Sequence, residues 1–407
     1  MCGINYAPEI IGVGRYAGEI GAYFAARGHQ VEVIAAPPHY PSWRVEPPFR
    51  AGAYAWERRE GVDVLRCPIY ATGKARGLAR ILAPVSFALS SAPAVAWRIL
   101  RTRPDVVFCT EPTLLSAPVA LVFAKLVGAR TVLHVQDLEF DAAFAVGHVK
   151  AGLVRRMAQL FERHTRRGFG RVVTISNRMR DKLVAKGVPA DRVCVVRNWT
   201  DTSAIRPLQG ANAFRGELGL SEDEFVALYA GQIGAKQALH QVFAAAEAMV
   251  DHPRLRFVIA GDGPLKAELV ARYGHLPNVR FLPLQPEERL CELLNLADLH
   301  VLPQDANAAD LVLPSKLAGM LASGRPVLAT AATGTELHDV LSGFALLVPP
   351  GDATALVQAL RSAASDTFVA PQGGLALAND LFSKSRNLSA LLDMIERFVH
   401  VGANHPS

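Results

Sequence analysis

Short apolar runs alternate with amphipathic stretches along the whole chain, a pattern typical of β-α-β units with a parallel sheet. Helices are predicted over residues 16–27, which Gly28 ends, and over residues 239–249. The pattern lapses over residues 202–218, which predicts a hinge between two doubly wound α/β domains. The predicted strands are 31–35, 106–109, 131–135 and 171–175 before the hinge, and 225–229, 256–259, 279–281, 299–302 and 326–329 after it.

The composition narrows the class of protein. The chain has 407 residues, enough for two domains of about 200 residues each, and its 50% hydrophobic content excludes a disordered chain. The longest charge-free apolar stretch, residues 81–97, contains Pro84 and Pro93 and is too short to span a membrane. We expect no signal peptide at Met1. The five cysteines lack C-x-x-C spacing, which excludes a disulfide scaffold and predicts a reducing, cytoplasmic compartment.

Positive charge is concentrated in the first half of the chain. Residues 1–200 contain 28 Lys and Arg against 15 Asp and Glu, while the second half is acidic. A basic half attracts phosphates, nucleic acid or an anionic membrane surface, but the acidic second half and the lack of a nucleic-acid-binding motif argue against nucleic acid. Residues 74–103 have basic ends around an apolar middle. They fit either a segment in a membrane interface or a helix pair packed on the first sheet.

Glycine-rich turns follow predicted strands in both halves. Gly12 and Gly14 open the first helix and are followed by Arg15, a turn that is either purely structural or a phosphate site. In the second half, YAGQIGAKQ (229–237) and GDGPLK (261–266) follow successive strands, and each contains a lysine next to a predicted helix. A plain β-α turn explains either segment alone. Two of them in successive units favour a phosphate site.

A polar cluster ends the strand 131–135, where His134 is followed by Gln136 and Asp137. Ligands of open α/β sheets bind outside the carboxyl ends of strands, so His134 is either a lining residue or an ordinary structural histidine. Metal ligands are not expected there, because no D-x-D-type dyad stands in a suitable loop.

The segment Leu313-Pro314-Ser315-Lys316 precedes a helix of small residues. An N-cap explains Ser315, but it does not explain Lys316, because a cation at a helix N-terminus is unfavourable unless an anion neutralises it. The segment therefore favours an anion-binding site formed by the serine hydroxyl, the ammonium and the first helical amides.

The ordered set GVGRY, YAGQIGAKQ, GDGP, LPSK before GRPV, and LLVPPGD resembles the two-domain GT-B glycosyltransferases of family four over nearly the whole chain. INYAPEIIGVGRY, APPHYPSW, LHVQDLEFDA, RNW and DLVLPSK resemble the branch with the colanic-acid exopolysaccharide glycosyltransferases. The resemblance implies an α/β GT-B fold, two Rossmann-like parallel-sheet domains that face each other across a cleft. It implies an acceptor-binding domain over 1–205, a nucleotide-sugar-binding domain over 206–382, and a final helix over 383–407 that belongs to either domain.

The activity implied by the resemblance is a retaining transfer from a UDP- or GDP-linked sugar to a saccharide of exopolysaccharide, capsule or O-antigen assembly. The expected acceptor is linked to polyprenyl diphosphate, and the expected location is cytoplasmic, at the inner face of the cytoplasmic membrane. No metal ion and no cofactor besides the donor is expected. A nucleotide-sugar epimerase or hydrolase and a catalytically degenerate member of the family stay open as alternatives.

Carried over by position, the resemblance assigns residues to three roles. Two positions depart from the family pattern: Gly319 stands where a second glutamate is usual, and Gln232 where an arginine is usual. The ribose contact and the nucleotide are therefore left unassigned. The assigned residues are His134, Lys236, Asp310 and Lys316 for catalysis; Gly231, Gln232, Lys236, Gly261, Gly263, Pro264, Leu284, Pro314, Ser315 and Lys316 for the donor; and Gly12, Gly14, Arg15 and Asp137 for a donor or acceptor phosphate.

Overall fold

The chain divides into two compact units, and the strands of each unit pair mainly in parallel. Unit 1 comprises Met1–Val196 and the chain from Leu388 onward, and unit 2 comprises Arg197–Asn387. The division after Val196 lies before the boundary predicted after residue 205. The structure is a computed structural model that describes residues 1–9, 12–40, 42–73, 78–112, 114–138, 152–234, 237–305 and 313–403.

Unit 1 contains two sets of strands, with orders β2-β3-β1 and β4-β5-β6-β7, in which β2 alone is antiparallel to its neighbour. Residues 2–4 lie between β1 and β4. The Cys2 N–H donates to the Phe108 carbonyl (2.8 Å), and the Gly3 N–H donates to the Ile34 carbonyl (3.1 Å). This segment bridges the two sets of strands through Cys2, which pairs with Ile34 and Cys109. The strands are β1 (Glu32–Ala35), β2 (Ala55–Arg59), β3 (Val62–Arg66), β4 (Val106–Glu111), β5 (Arg130–Val135), β6 (Arg171–Thr174) and β7 (Val193–Val195).

Helices pack on both faces of β1 because alternate residues of a strand point to opposite sides. Val33 and Ala35 pack with Ala17 of the first helix, whereas Glu32 forms an ion pair with Arg98 of the second. The helices of unit 1 before residue 196 are α1 (Gly12–Ala26), α2 (Leu78–Thr102), α3 (Ala117–Val127), α4 (Gly152–Gly168) and α5 (Asn177–Ala185).

Unit 2 contains a six-stranded sheet in which every pair of neighbouring strands is parallel. Its order is β10-β9-β8-β11-β12-β13, so the direction of winding reverses between β8 and β11. Ligands of doubly wound sheets bind at such a reversal, outside the carboxyl ends of the strands. The strands are β8 (Phe225–Ala230), β9 (Leu255–Ala260), β10 (Val279–Leu282), β11 (Leu299–Leu302), β12 (Val327–Thr330) and β13 (Leu346–Val348).

The core of unit 2 holds the sheet against its helices. Phe243 is fully buried and stacks on Tyr273 with 4.5 Å between ring centroids. Such aromatic pairs contribute about 0.5–1.5 kcal/mol beyond the burial of their area. The helices are α6 (Ala213–Glu217), α7 (Leu239–Ala248), α8 (Lys266–Tyr273), α9 (Leu290–Asn295), α10 (Lys316–Ala322), α11 (Glu336–Leu341), α12 (Ala353–Ala363) and α13 (Gly374–Leu381).

The last helix, α14 (Lys384–Ala403), begins in unit 2 and continues in unit 1. One side of this helix is buried through Leu388, Leu391 and Leu392. Farther along, Phe398 lies against Gly170, and a Cβ atom at Gly170 would come too close to the Phe398 ring. Within the described ranges, no helix is long and apolar enough to cross a membrane.

The predicted α/β class with parallel sheets in two domains is confirmed. Each predicted strand is present within two residues of its expected bounds, and the structure adds β2, β3, β7 and β13. Around residues 81–97 the chain forms one long helix, α2, which contains Pro84 and Pro93. The alternative of a helix pair is therefore wrong.

Candidate functional site

Two glycine-containing loops meet at the carboxyl ends of β8 and β9 in unit 2. The Ile233 N–H of the first loop donates to the Asp262 carbonyl of the second (2.8 Å). Gly261 has a φ of 143°, and a Cβ atom there would overlap the Gly231 carbonyl. Gly263, with a φ of 155°, is bounded in the same way by the Ile233 carbonyl. Only glycine lets the two loops approach this closely.

Lys316, the first residue of α10, extends to the first of these loops. Its Nζ donates a hydrogen bond to the Tyr229 hydroxyl (2.8 Å) and lies 4.0 Å from the centroid of that ring. The hydroxyl in turn donates to the Gln232 carbonyl (2.5 Å). A Cβ atom at Gly231 would lie 3.3 Å from the ammonium, so the glycine keeps space beside it. We call Tyr229, Gly231 and Lys316 the lysine cluster.

The ammonium of the lysine cluster is poorly solvated. Burial lowers the pKa of Lys316 from 10.5 to about 7, and no carboxylate of the described residues offsets this effect. A desolvated cation without a counter-ion is costly, and a bound anion removes that cost. The cluster is therefore suited to binding a phosphate or diphosphate group at the edge of the sheet.

A second lysine lies at the other loop. Lys266 begins α8, and its Nζ donates to the Gly261 carbonyl (2.8 Å). The sequence places Lys266 in GDGPLK, next to a predicted helix, as part of a candidate phosphate site. Pro264 lies beside it, and Leu284, which follows the neighbouring strand β10, is exposed. A shallow depression next to these loops is lined by Asp262, Gly263, Pro264, Lys266, Ala267 and Val270.

The remaining predicted donor residues lie around the lysine cluster or outside the described residues. The Gln232 side chain is exposed, and its backbone carbonyl accepts the hydrogen bond from the Tyr229 hydroxyl. Pro314 and Ser315 precede α10, and the Ser315 side chain makes no capping hydrogen bond to that helix. Lys236 and Asp310, both predicted as catalytic, fall outside the residues that the structure describes.

Gly319, the position at which the family pattern has a glutamate, lies inside unit 2. A Cβ atom there would be 3.2 Å from Leu294 Cδ1 and 3.7 Å from Ile205 Cδ1. Both neighbours belong to a buried apolar cluster. A carboxylate at this position would enter apolar surroundings, so glycine fits the packing that the chain has here.

In unit 1 the glycine turn surrounds a buried carboxylate. Glu9 accepts hydrogen bonds from the backbone N–H groups of His39 and Tyr40, both at 3.1 Å, and from the Asn5 amide at 2.9 Å. A Cβ atom at Gly14 would overlap this carboxylate. Gly14 therefore makes room for Glu9, a residue that the sequence analysis missed because a single glutamate carries no spacing signal.

The other predicted residues of the turn, Gly12 and Arg15, contact residues of unit 1 close to them. Gly12 has a φ of 66°, and a Cβ atom there would lie 3.5 Å from the Tyr40 ring. Arg15 forms an ion pair with Glu19 one helical turn later (3.0 Å). A phosphate contact by Gly12, Gly14 or Arg15 stays a prediction.

His134 is a buried imidazole near the carboxyl end of β5. It is 1% exposed, and burial lowers its pKa to about 4, so it is neutral at neutral pH. Its ring packs edge-on to Phe108 (5.8 Å between centroids), and its Nε2 lies 3.4 Å from Gln136 Nε2. Asp137 follows directly in the chain. The side chain of His134 is suited to hydrogen bonding and is not positioned as an exposed acid or base.

A buried ionic network lies at the end of the neighbouring strand β4. Arg166 of α4 pairs with Glu111 and with Glu162, the latter at 2.9 Å, and Lys186 pairs with Glu162 at 3.2 Å. Burial raises the pKa of Glu111 to about 7 in spite of the guanidinium. The network ties α4 to the end of the sheet.

Comparison with known proteins gives two family matches. Residues 12–199 match the family described as glycosyl transferase 4-like domain, and residues 224–366 match glycosyl transferases group 1. The putative colanic acid biosynthesis glycosyl transferase WcaI of Escherichia coli K12 is 42% identical over 373 residues, which cover 89% of this chain and 90% of that protein.

Two solved structures share the fold. Sucrose-phosphate synthase from Thermosynechococcus elongatus aligns with a TM-score of 0.75 at 17% identity, covering 98% of this chain and 99% of that one. HepE of Anabaena, solved with UDP, aligns with a TM-score of 0.67 at 14% identity, covering 97% of this chain and 99% of that one. At these identities the likeness concerns the fold alone.

Proposed function

The chain belongs to the family of group 1 and 4-like glycosyltransferases, and on this premise we propose that it transfers a sugar from a nucleotide-diphosphosugar to a saccharide in exopolysaccharide assembly. The observation that carries the proposal is the lysine cluster, in which the partly buried Lys316 ammonium lies beside Gly231, a residue without a side chain. The donor diphosphate would bind there. The UDP complex of HepE supports a UDP-linked donor, and a GDP-linked donor is the alternative.

The proposed transfer retains the anomeric configuration and needs no metal ion. When the bond between the anomeric carbon and the phosphate oxygen breaks, negative charge develops on the leaving diphosphate. Preorganised positive groups stabilise that negative charge, and here Lys316 would be the positive group. The acceptor hydroxyl attacks the anomeric carbon from the face that the diphosphate leaves, and its proton passes to the departing phosphate oxygen.

We propose that the acceptor is a saccharide carried on polyprenyl diphosphate at the cytoplasmic face of the membrane. The support is the basic charge of residues 1–200 and the four exposed arginines of α4, Arg155, Arg156, Arg163 and Arg167. Such a surface attracts an anionic lipid carrier. Equal rates on the lipid-linked acceptor and on the free saccharide would contradict this part of the proposal.

The donor site is tested by calorimetric titration with UDP, GDP and their common sugar conjugates. We expect one nucleotide to bind, and Lys316→Met, which keeps the length of the side chain without its charge, to weaken binding by about tenfold or more. Arg386→Gln is the matched control, because Arg386 forms only an exposed ion pair with Asp380 in unit 2. Equal binding by Lys316→Met and the control would contradict the site.

Product analysis separates the proposed activity from the alternatives. A transferase forms a new glycoside only when the acceptor is present. A hydrolase releases free sugar without an acceptor, an epimerase converts the donor to its isomer, and a degenerate member gives no product.

A further inference from the structure

The helices α2, α3 and α4 of unit 1 expose large apolar side chains. Leu89 and Trp97 of α2 are 72% and 54% exposed, Leu126 of α3 is 68% exposed, and Met157 of α4 is 63% exposed. The helix α3 packs between the other two. Exposed apolar side chains that recur on three adjacent helices indicate an interaction surface. We call the exposed side of these helices, with the adjoining strand β2, the α2–α4 face.

Arginines and tryptophans alternate at one end of this face. The Arg98 guanidinium lies 5.2 Å from the ring centroid of Trp56 on β2 and 5.1 Å from that of Trp97. Arg101 lies 5.7 Å from the Trp97 centroid and is itself exposed. Tryptophan and arginine side chains with an apolar body and a polar tip suit the boundary between water and lipid acyl chains.

The three helices of the face are strongly basic. The helices α2 and α3 contain no acidic residue, and the sequence has none between Asp63 and Asp105. The single acidic residue of α4, Glu162, is buried and pairs with Arg166. Arg98 pairs with Glu32 of β1, and Arg166 pairs with Glu111 and Glu162. The three helices together contain nine arginines and lysines against one acidic residue, and this net positive charge complements an anionic partner.

We infer that the α2–α4 face docks on the headgroup layer of an anionic lipid bilayer, with Leu89, Trp97, Leu126 and Met157 among the acyl chains and the arginines at the phosphates. This inference deepens the proposed function, because it names the surface by which the protein would reach a lipid-linked acceptor. The helices lie in the plane of the layer, as amphipathic interfacial helices do. A folded protein partner would be expected to offer carboxylates to the arginines, whereas lipid phosphates are present over the whole area of the face.

The test is binding of the full chain to vesicles of phosphatidylethanolamine with phosphatidylglycerol, compared with phosphatidylcholine alone. We expect binding to the anionic vesicles only. The triple variant Leu89→Ser, Leu126→Ser, Met157→Ser should bind at least about tenfold more weakly. Arg101→Gln should weaken binding by about fivefold. Val369→Ser in unit 2, where Val369 is 86% exposed, and Arg386→Gln are the matched controls and should leave binding unchanged.

Tryptophan fluorescence locates the contact. Brominated lipids should quench the tryptophan fluorescence of the bound protein, and Trp97→Phe should remove much of this quenching. The fluorescence of the buried Trp199 should not be quenched. The inference is overturned if neither kind of vesicle binds, if the controls weaken binding as much as the face variants, or if the face variants abolish a dimer and not vesicle binding. Nucleotide titration keeps the two proposals separate. If the unchanged chain binds anionic vesicles but no nucleotide, the donor site alone is refuted. If it binds a nucleotide but no anionic vesicle, this inference alone is overturned.

Discussion

If the proposed donor site is right, donor binding should depend on pH through Lys316, in a direction that the burial of its ammonium determines. Burial lowers the pKa of its ammonium to about 7, so the unliganded protein is about half protonated there at pH 7. A diphosphate pairs with the protonated form only. Binding of the donor should therefore draw a proton onto Lys316 and should weaken as the pH rises through 7.

The size of the effect follows from the protonated fraction. With a pKa of about 7 this fraction falls from about nine tenths at pH 6 to about one tenth at pH 8, and the apparent Kd rises as the fraction falls. The Kd should therefore increase by about tenfold between pH 6 and pH 8. A lysine with the ordinary pKa of 10.5 would give no change over this range.

The assay is calorimetric titration with a nucleotide-diphosphosugar, whose phosphates do not titrate between pH 6 and pH 8. Two buffers of different ionisation enthalpy at pH 7 give the proton uptake, which should be about half a proton for each donor bound. Lys316→Met should abolish both the uptake and the pH dependence, and Arg386→Gln should keep them. Equal affinity at pH 6 and pH 8, or an unchanged slope in Lys316→Met, would refute the reasoning.

Two further predictions concern the stability of unit 1. Arg166→Met leaves Glu111 and Glu162 buried without their guanidinium, so the free energy of unfolding should fall by about 3–5 kcal/mol in urea denaturation; a loss below about 1 kcal/mol would contradict the network. Gly14→Ala pushes a methyl group against the Glu9 carboxylate and should cost about 1–3 kcal/mol. The same change in a Glu9→Ala background should cost much less, and additive losses by thermal unfolding would disprove the coupling.

Central strands could be predicted from the sequence because both of their faces are covered. β8 and β9 are buried nearly throughout and read as unbroken apolar runs. β2 was missed because its segment AWERR is largely exposed and has no continuous apolar side. A helix pair was one of two alternatives for residues 74–103, yet α2 continues through Pro84 and Pro93, because packing of the helix in unit 1 outweighs the hydrogen bonds lost there.

The sequence predicts those features of the candidate site that depend on neighbouring residues alone. The charge of Lys316 at a helix start, and the glycines after β8 and β9, are visible in the sequence. The hydrogen bond from Lys316 to the Tyr229 hydroxyl joins residues 87 positions apart, and the contact of Lys266 with Gly261 depends on how the loop turns. Both follow from tertiary structure, which no spacing rule encodes.

The departure at Gly319 lies on the same helix as Lys316. Residues three apart on a helix are neighbours, but a glutamate at 319 would begin against the apolar Leu294 and Ile205 and would not be a ready counter-ion for Lys316. With glycine there, packed against Leu294 and Ile205, the helix supplies no such carboxylate. Burial lowers the pKa of Lys316 while α10 offers it no carboxylate, so in the proposed donor site the anion that completes the lysine cluster comes from the ligand.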